Sequence, residues 1–157
     1  MYTKYFLFAF LFFSLTIFAQ HSKTPQKVSE TFSKLYPKAT NVKWDKEGNN
    51  YEASFKLDSK NISVTLDANG NVIETETEIE KSQLPNGVEK FIQDNYKEYK
   101  ISEAAKIVKA DGETVFEAEI LKGKTRKDLL FDANGKIEKK NVNKKMRKDK
   151  EDEEDKD

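Results

Sequence analysis

The stretch Leu66, Asp67, Ala68, Asn69, Gly70 (LDANG) returns as Phe131, Asp132, Ala133, Asn134, Gly135 (FDANG), sixty-five positions later. In such a stretch the Asp bonds its own backbone two residues on, and the Asn tolerates unusual dihedrals. The Gly accepts the left-handed conformation that a type I turn with a bulge needs between two strands. Each copy therefore reads as the tip of a β-hairpin. The Asp, Asn and Gly also bear a faint likeness to a calcium loop, which the pattern disfavours, because an EF-hand loop needs more carboxylates and a distal Glu at fixed spacing.

Working outward at the same shift, YEASF at residues 51–55 lies over FEAEI at 116–120, Leu66 over Phe131, Val72 over Ile137 and Val42 over Ile107. Further upstream the shift becomes sixty, setting Val28, Phe32 and Tyr36 over Val88, Ile92 and Tyr96. Five extra residues are thus expected just after the second helix, with Lys109 where Trp44 would be. One supersecondary unit used twice accounts for the pattern.

Each unit opens on a helical signal. Thr24 is a candidate cap, Pro25 suits a first turn, and Val28, Phe32 and Leu35 form one stripe before Pro37 stops the helix. In the second unit Pro85 precedes Val88, Phe91, Ile92 and Tyr96 at the same spacing. The segments that follow alternate with period two: Val42 and Trp44; Tyr51, Ala53, Phe55 and Leu57; Ile62, Val64 and Leu66; then residues 71–80. Ile107, then Phe116, Ala118 and Ile120, then Leu129 and Phe131, then Ile137 repeat the series. Helices with one apolar stripe and strands with one apolar face must cover each other. The expected fold is α+β, with two tandem repeats at residues 20–80 and 81–140, each one helix packed on an antiparallel sheet of about four strands. Trp44, on the face of Val42, is expected in the core.

The flanks read differently. Residues 5–18 are almost wholly apolar after Lys4, and Ile17, Phe18 and Ala19 resemble a cleavage site, so residues 1–19 are expected to be a signal peptide. The run is short of the roughly 20 apolar residues a membrane span needs, so no stable membrane insertion is expected after cleavage. Residues 141–157 change from a basic block to an acidic one with few apolar side chains, and are expected to form a charged, disordered tail. With 28 basic and 28 acidic residues the charge cancels, which disfavours nucleic acid as a partner. The chain has no Cys, so an exported form must hold its fold without disulfides.

Taken together, Phe32, Tyr36, Pro37, Ala39, Val42 and Trp44, then YEASF, LDANG, the ETETEI run at 74–79, Leu84, Pro85, FEAEI and FDANG resemble the PepSY-like family, also described as beta-lactamase-inhibitor-like. The likeness extends from Lys27 to Lys140. It implies an exported protein of the Bacteroidetes type, periplasmic or secreted, built from tandem helix-plus-sheet units, with related modules proposed to bind and restrain peptidases. It brings no set of catalytic residues.

The residue inventory points the same way. The one His is His21, near the expected mature end, and no Ser or carboxylate stands in a nucleophile-elbow or phosphate-loop pattern, so no enzyme activity, metal or cofactor is expected. The candidate surface is the sheet face that the helices leave open. On it alternation places Glu74, Glu76 and Glu78, then Val115, Glu117, Glu119 and Leu121, then Arg126, Asp128 and Leu130. Exposed Val115, Leu121 and Leu130 among charges would have the anatomy of a protein-binding patch. The expected function is noncatalytic binding, and inhibition in some cases, of a periplasmic protein or peptide. The alternative is a small-ligand or cation-binding protein using the concave sheet face.

Overall fold

The computed structural model describes residues 24–138. The expected signal peptide, His21 and the charged tail lie outside the described residues. The first helix, α1 (Gln26–Leu35), forms where Val28 and Phe32 stand one turn apart, and both are buried. Pro25, rather than Thr24, occupies the N-cap without a side-chain bond, and its carbonyl accepts the Val28 and Ser29 N–H groups at 3.0 and 3.1 Å. Leu35, expected on the stripe, is 51% exposed. The helix stops at Tyr36, ahead of Pro37, whose ring disfavours helical geometry in the residue before it.

Among the described residues seven strands make one antiparallel sheet whose spatial order is the chain order. They are β1 (Thr40–Glu47), β2 (Asn50–Leu57), β3 (Lys60–Leu66), β4 (Val72–Glu78), β5 (Lys100–Lys109), β6 (Thr114–Lys122) and β7 (Thr125–Asp132). Between β4 and β5 run a 3-10 turn at Lys81–Gln83 and the second helix, α2 (Val88–Asn95). The expectation of two separate sheets is corrected here. The β4–β5 ladder, from Glu74 opposite Lys109 to Glu78 opposite Ala105, joins both halves into one sheet. Alternation within one strand cannot reveal this pairing, because nothing in β4 alone specifies its second neighbour.

Both helices lie on the same side. Val64 stands opposite Thr75, and Thr75 opposite Val108, so the odd positions of β4 share a face with the even positions of β5. On that face Val28 and Phe32 of α1 pack on Ala53, Phe55, Val64 and Leu66. Val88 and Ile92 of α2, with Leu84, pack on Ala104, Ala118, Ile120, Leu129 and Phe131. Full burial of each large side chain contributes roughly 1.5–3 kcal/mol. Trp44 joins the first cluster edge-on to Phe32, with ring centroids 5.3 Å apart.

The placement of the five extra residues is also corrected. Register shifts fall between Thr40 and Lys43 in β1 and between Ile101 and Glu103 in β5, and the next pairs are Lys43 with Ser54 and Glu103 with Glu119. The shift of sixty thus persists through β5, Ala104 stands where Trp44 does, and the extra residues lengthen the β5–β6 hairpin. Asn41 takes φ 55° in the first of these bulges, and Val42 beside it is 39% exposed and outside the core cluster that Trp44 joins.

The two DANG turns are built alike. Asp67 Oδ1 accepts the N–H groups of Asn69 and Asn71 at 2.8 and 2.9 Å, and Asp132 Oδ1 accepts those of Asn134 and Lys136 at 2.9 Å. Gly70 and Gly135 adopt φ 80° and 75°. They also permit a close approach: a Cβ on Gly70 would lie 2.8 Å from Thr31 Oγ1, and one on Gly135 would lie 2.2 Å from the Asn86 carbonyl oxygen. Each hairpin tip therefore presses on the beginning of its helix.

Gly135→Ala is expected to destabilise the fold by about 2–4 kcal/mol, from left-handed strain plus the displaced backbone oxygen. Gly48→Ala, at φ 61° with open space around it, should cost only about 1 kcal/mol. Urea unfolding of both variants measures the difference. The turn carboxyls also titrate low: the backbone N–H of Asn71 bonded to Asp67, and that of Lys136 bonded to Asp132, hold each below the usual 3.8. A depressed folded value adds stability above the unfolded value and loses it as pH falls through the folded one. Replacing both with Asn, which accepts the same bonds without titrating, should flatten the decline of the urea midpoint below about pH 4.

Candidate functional site

Glu74, Glu76 and Glu78 project away from the helices, because Thr75 between them faces α1, its Oγ1 3.4 Å from Tyr36 Oη. Carrying the register across the sheet from Glu76 gives a row of Lys43, Ser54, Ser63, Glu76, Ile107, Val115 and Asp132. Beside it run Lys56, Asn61, Glu78, Ala105, Glu117 and Leu130, with Asn61 Nδ2 donating to Glu78. On one flank stand Asp45, Glu52, Thr65, Glu74 and Lys109; on the other, Glu103, Glu119 and Asp128.

The sheet curls around this face. Lys43 of β1 and Arg126 and Asp128 of β7, at opposite edges, line one hollow of about 960 Å³. Its middle is acidic, with Glu76, Glu78, Glu103, Glu117 and Glu119, while Lys43 and Lys56 at one edge and Lys124 and Arg126 at the other are basic. Right-handed strand twist accumulated over seven strands bends such a sheet.

The candidate residues from the sequence divide by burial. Val115, expected to be exposed, is 1% exposed, and Ile107, paired opposite it, is 6% exposed. Leu121 and Leu130 are half-buried, beside Arg126 and Glu117 respectively. Glu119 accepts a hydrogen bond from Ser102 Oγ at 2.5 Å and pairs with Arg126 Nη1 at 3.2 Å, an exposed bridge worth up to about 1 kcal/mol. Glu74, on the flank, faces Lys109 across the central ladder. Lys109 in turn holds its proton more tightly because Glu113 accepts a hydrogen bond from its ammonium.

The contributors that were missed include Glu103, Ala105, Ile107 and the buried Glu52, along with Lys43, Lys56 and Lys124 at the edges of the hollow. Ile107 had been aligned with a core-facing position; the persistent shift of sixty turns it to the open side, where it is 6% exposed. The period-two alternation of β5 held the signal, once the bulge at Ser102 is allowed for. Among the described residues no three His, Cys, Asp or Glu side chains converge to hold a metal ion, and no helix is long and apolar enough to cross a membrane. The arrangement can present charge and a small apolar centre to another molecule.

Comparison with solved structures places the fold among bacterial relatives. A BLIP-like protein from Bacteroides fragilis is 26% identical, with a TM-score of 0.60 over 80% of this chain and 91% of that one. A DUF2874 family protein from Bacteroides uniformis is 20% identical, with a TM-score of 0.63 over 73% and 86%. A structure from Bacteroides eggerthii described as "putative periplasmic proteins" is 16% identical, with a TM-score of 0.64 over the same shares, 73% and 86%. No curated protein matches the sequence. The model of the family described as "Putative beta-lactamase-inhibitor-like, PepSY-like" matches residues 17–74 and again 59–139. The chain belongs to this PepSY-like, beta-lactamase-inhibitor-like family.

Proposed function

We propose that this chain is an exported, noncatalytic binding module that takes a periplasmic protein or peptide on the concave face of its sheet. The observation that carries the reading is the open sheet face itself, where half-buried Leu130 and the buried Ala105, Ile107 and Val115 stand beside a hollow lined mainly by charged side chains. An apolar centre within a polar rim is how protein interfaces are built. Pockets for small molecules are instead lined mainly by apolar and aromatic side chains around a few convergent polar groups. Among the described residues Phe55 is the one aromatic that lines the hollow, and charged residues dominate the lining.

Other features support the reading. The helices sit on the opposite side, so neither of them covers the concave face. The sequence begins with a signal-like segment, and a solved structural relative is described as periplasmic. The matched DANG turns and helices support two copies of one module, residues 20–80 and 81–140, combined to widen a single face. Binding here would act by occlusion, in keeping with the inhibitor-like family description.

The test is capture from the native periplasm with purified protein as bait. Leu130→Lys and Glu117→Lys on the concave face should each lower recovery of a specific partner at least about tenfold, equivalent to 1.4 kcal/mol. Leu35→Lys, on the exposed side of α1, should leave recovery unchanged. Urea midpoints identify any variant that loses its fold. Equal recovery by all three folded variants would overturn the reading.

A further inference from the structure

We propose that Asn86–Gly87, the turn leading into α2, is the site at which this folded chain deamidates, and that the isoaspartyl product loosens the seat of the second DANG hairpin on that helix. Three Asn–Gly pairs occur in the sequence: Asn69–Gly70, Asn86–Gly87 and Asn134–Gly135. A glycine after Asn leaves the backbone nitrogen unshielded and the chain free to turn, so each pair is chemically able to react. The nitrogen loses its proton to solvent base and attacks the Asn Cγ; ammonia leaves, and a cyclic imide forms. Water then opens the imide at either carbonyl. Opening at Cγ gives Asp, and opening at the main-chain carbonyl gives isoaspartate, with one more carbon in the backbone.

The fold protects two of the three. The Gly70 N–H donates to the Asp67 carbonyl at 3.0 Å and the Gly135 N–H to the Asp132 carbonyl at 2.9 Å, which keeps each would-be nucleophile protonated and directed at another acceptor. The Asp67 and Asp132 carboxylates also hold the Asn69 and Asn134 N–H groups, so neither peptide can rotate without breaking several bonds. The related Asp111–Gly112 pair is tied in the same way, with the Gly112 N–H on the Lys109 carbonyl at 2.9 Å. The Gly87 N–H makes no hydrogen bond to another group among the described residues. Asn86 and Gly87 are both exposed, whereas Gly70 is buried and Gly135 half-buried. Among the described residues the turn around that peptide is closed by one backbone bond, from the Val88 N–H to the Pro85 carbonyl at 3.2 Å. The consequence falls on a tight contact: a Cβ on Gly135 would lie 2.2 Å from the Asn86 carbonyl oxygen, so the hairpin tip leaves no room for added backbone. Isoaspartate lengthens the main chain there and turns that carbonyl into a free carboxylate. The Asp product keeps the backbone and sets a negative charge before the first turn of α2, where the helix dipole favours it.

Trypsin sets the three pairs on separate peptides, residues 61–81, 82–90 and 128–136. The purified chain, with its C-terminal segment intact, is held in mildly alkaline buffer, and each peptide is followed by mass spectrometry for the conversion of amide to carboxyl. Conversion at Asn86 should run at least about tenfold faster than at Asn69 or Asn134. In concentrated urea the three rates should come within about threefold of one another, because no fold then distinguishes them. Asn69 or Asn134 keeping pace with Asn86 in the folded chain would overturn the site, as would a tenfold lead that persists in urea. Isoaspartyl chain, separated by chromatography, should unfold at a lower urea midpoint than Asn86→Asp, which should match the unmodified chain. Equal midpoints for the isoaspartyl and Asn86→Asp chains would overturn the loosening of the hairpin seat.

Discussion

The structure depends on the pairing of β4 with β5. A unit of about 60 residues buries too little surface to be more than marginally stable. The ladder between Glu74 and Glu78 on one side and Lys109 and Ala105 on the other gives each half a neighbour in place of an open edge. It also makes the face opposite the helices continuous. Without it Glu76 and Glu78 would belong to one surface and Ala105, Ile107 and Val115 to another, and no hollow would join them. Stability and the candidate site thus share one set of backbone hydrogen bonds.

The cores on either side of that ladder reach similar packing with different residues. In the first, Phe32 meets Trp44, Phe55 and Tyr36 at centroid distances of 5.1–5.5 Å. In the second, Ala104 stands where Trp44 does, and the space is shared by Phe91, Phe131 and Tyr96. Aromatic bulk that the first core draws from the sheet at Trp44 comes in the second from the helix at Phe91. The turns leave less freedom, because Gly70 and Gly135 are fixed both by their dihedrals and by backbone lying within contact of any added carbon.

Much of this was legible in the residues because it is local. The helices followed from Val28, Phe32, Val88 and Ile92, the hairpin tips from Asp67 and Asp132, and the orientation of β6 and β7 from simple alternation. Features set by distant pairing were not. The single sheet needs β4 to find β5 across an intervening helix. The side on which Ile107 projects depends on a bulge five residues upstream, and one added residue reverses every later side chain. Val115 illustrates the limit for the site: alternation assigned its face correctly, whereas its burial, between Ile107 and Asp132 on two other strands, is not a property of its own strand.

The bulge in β1 has a wider consequence. Kinked at Asn41 and followed by Lys43, Asp45, Lys46 and Glu47, the first strand offers an incoming segment an irregular, highly charged template. Such an outline resists stacking of molecule upon molecule into filaments. A chain without cysteine carries, in that one distortion, a built-in guard against polymerisation.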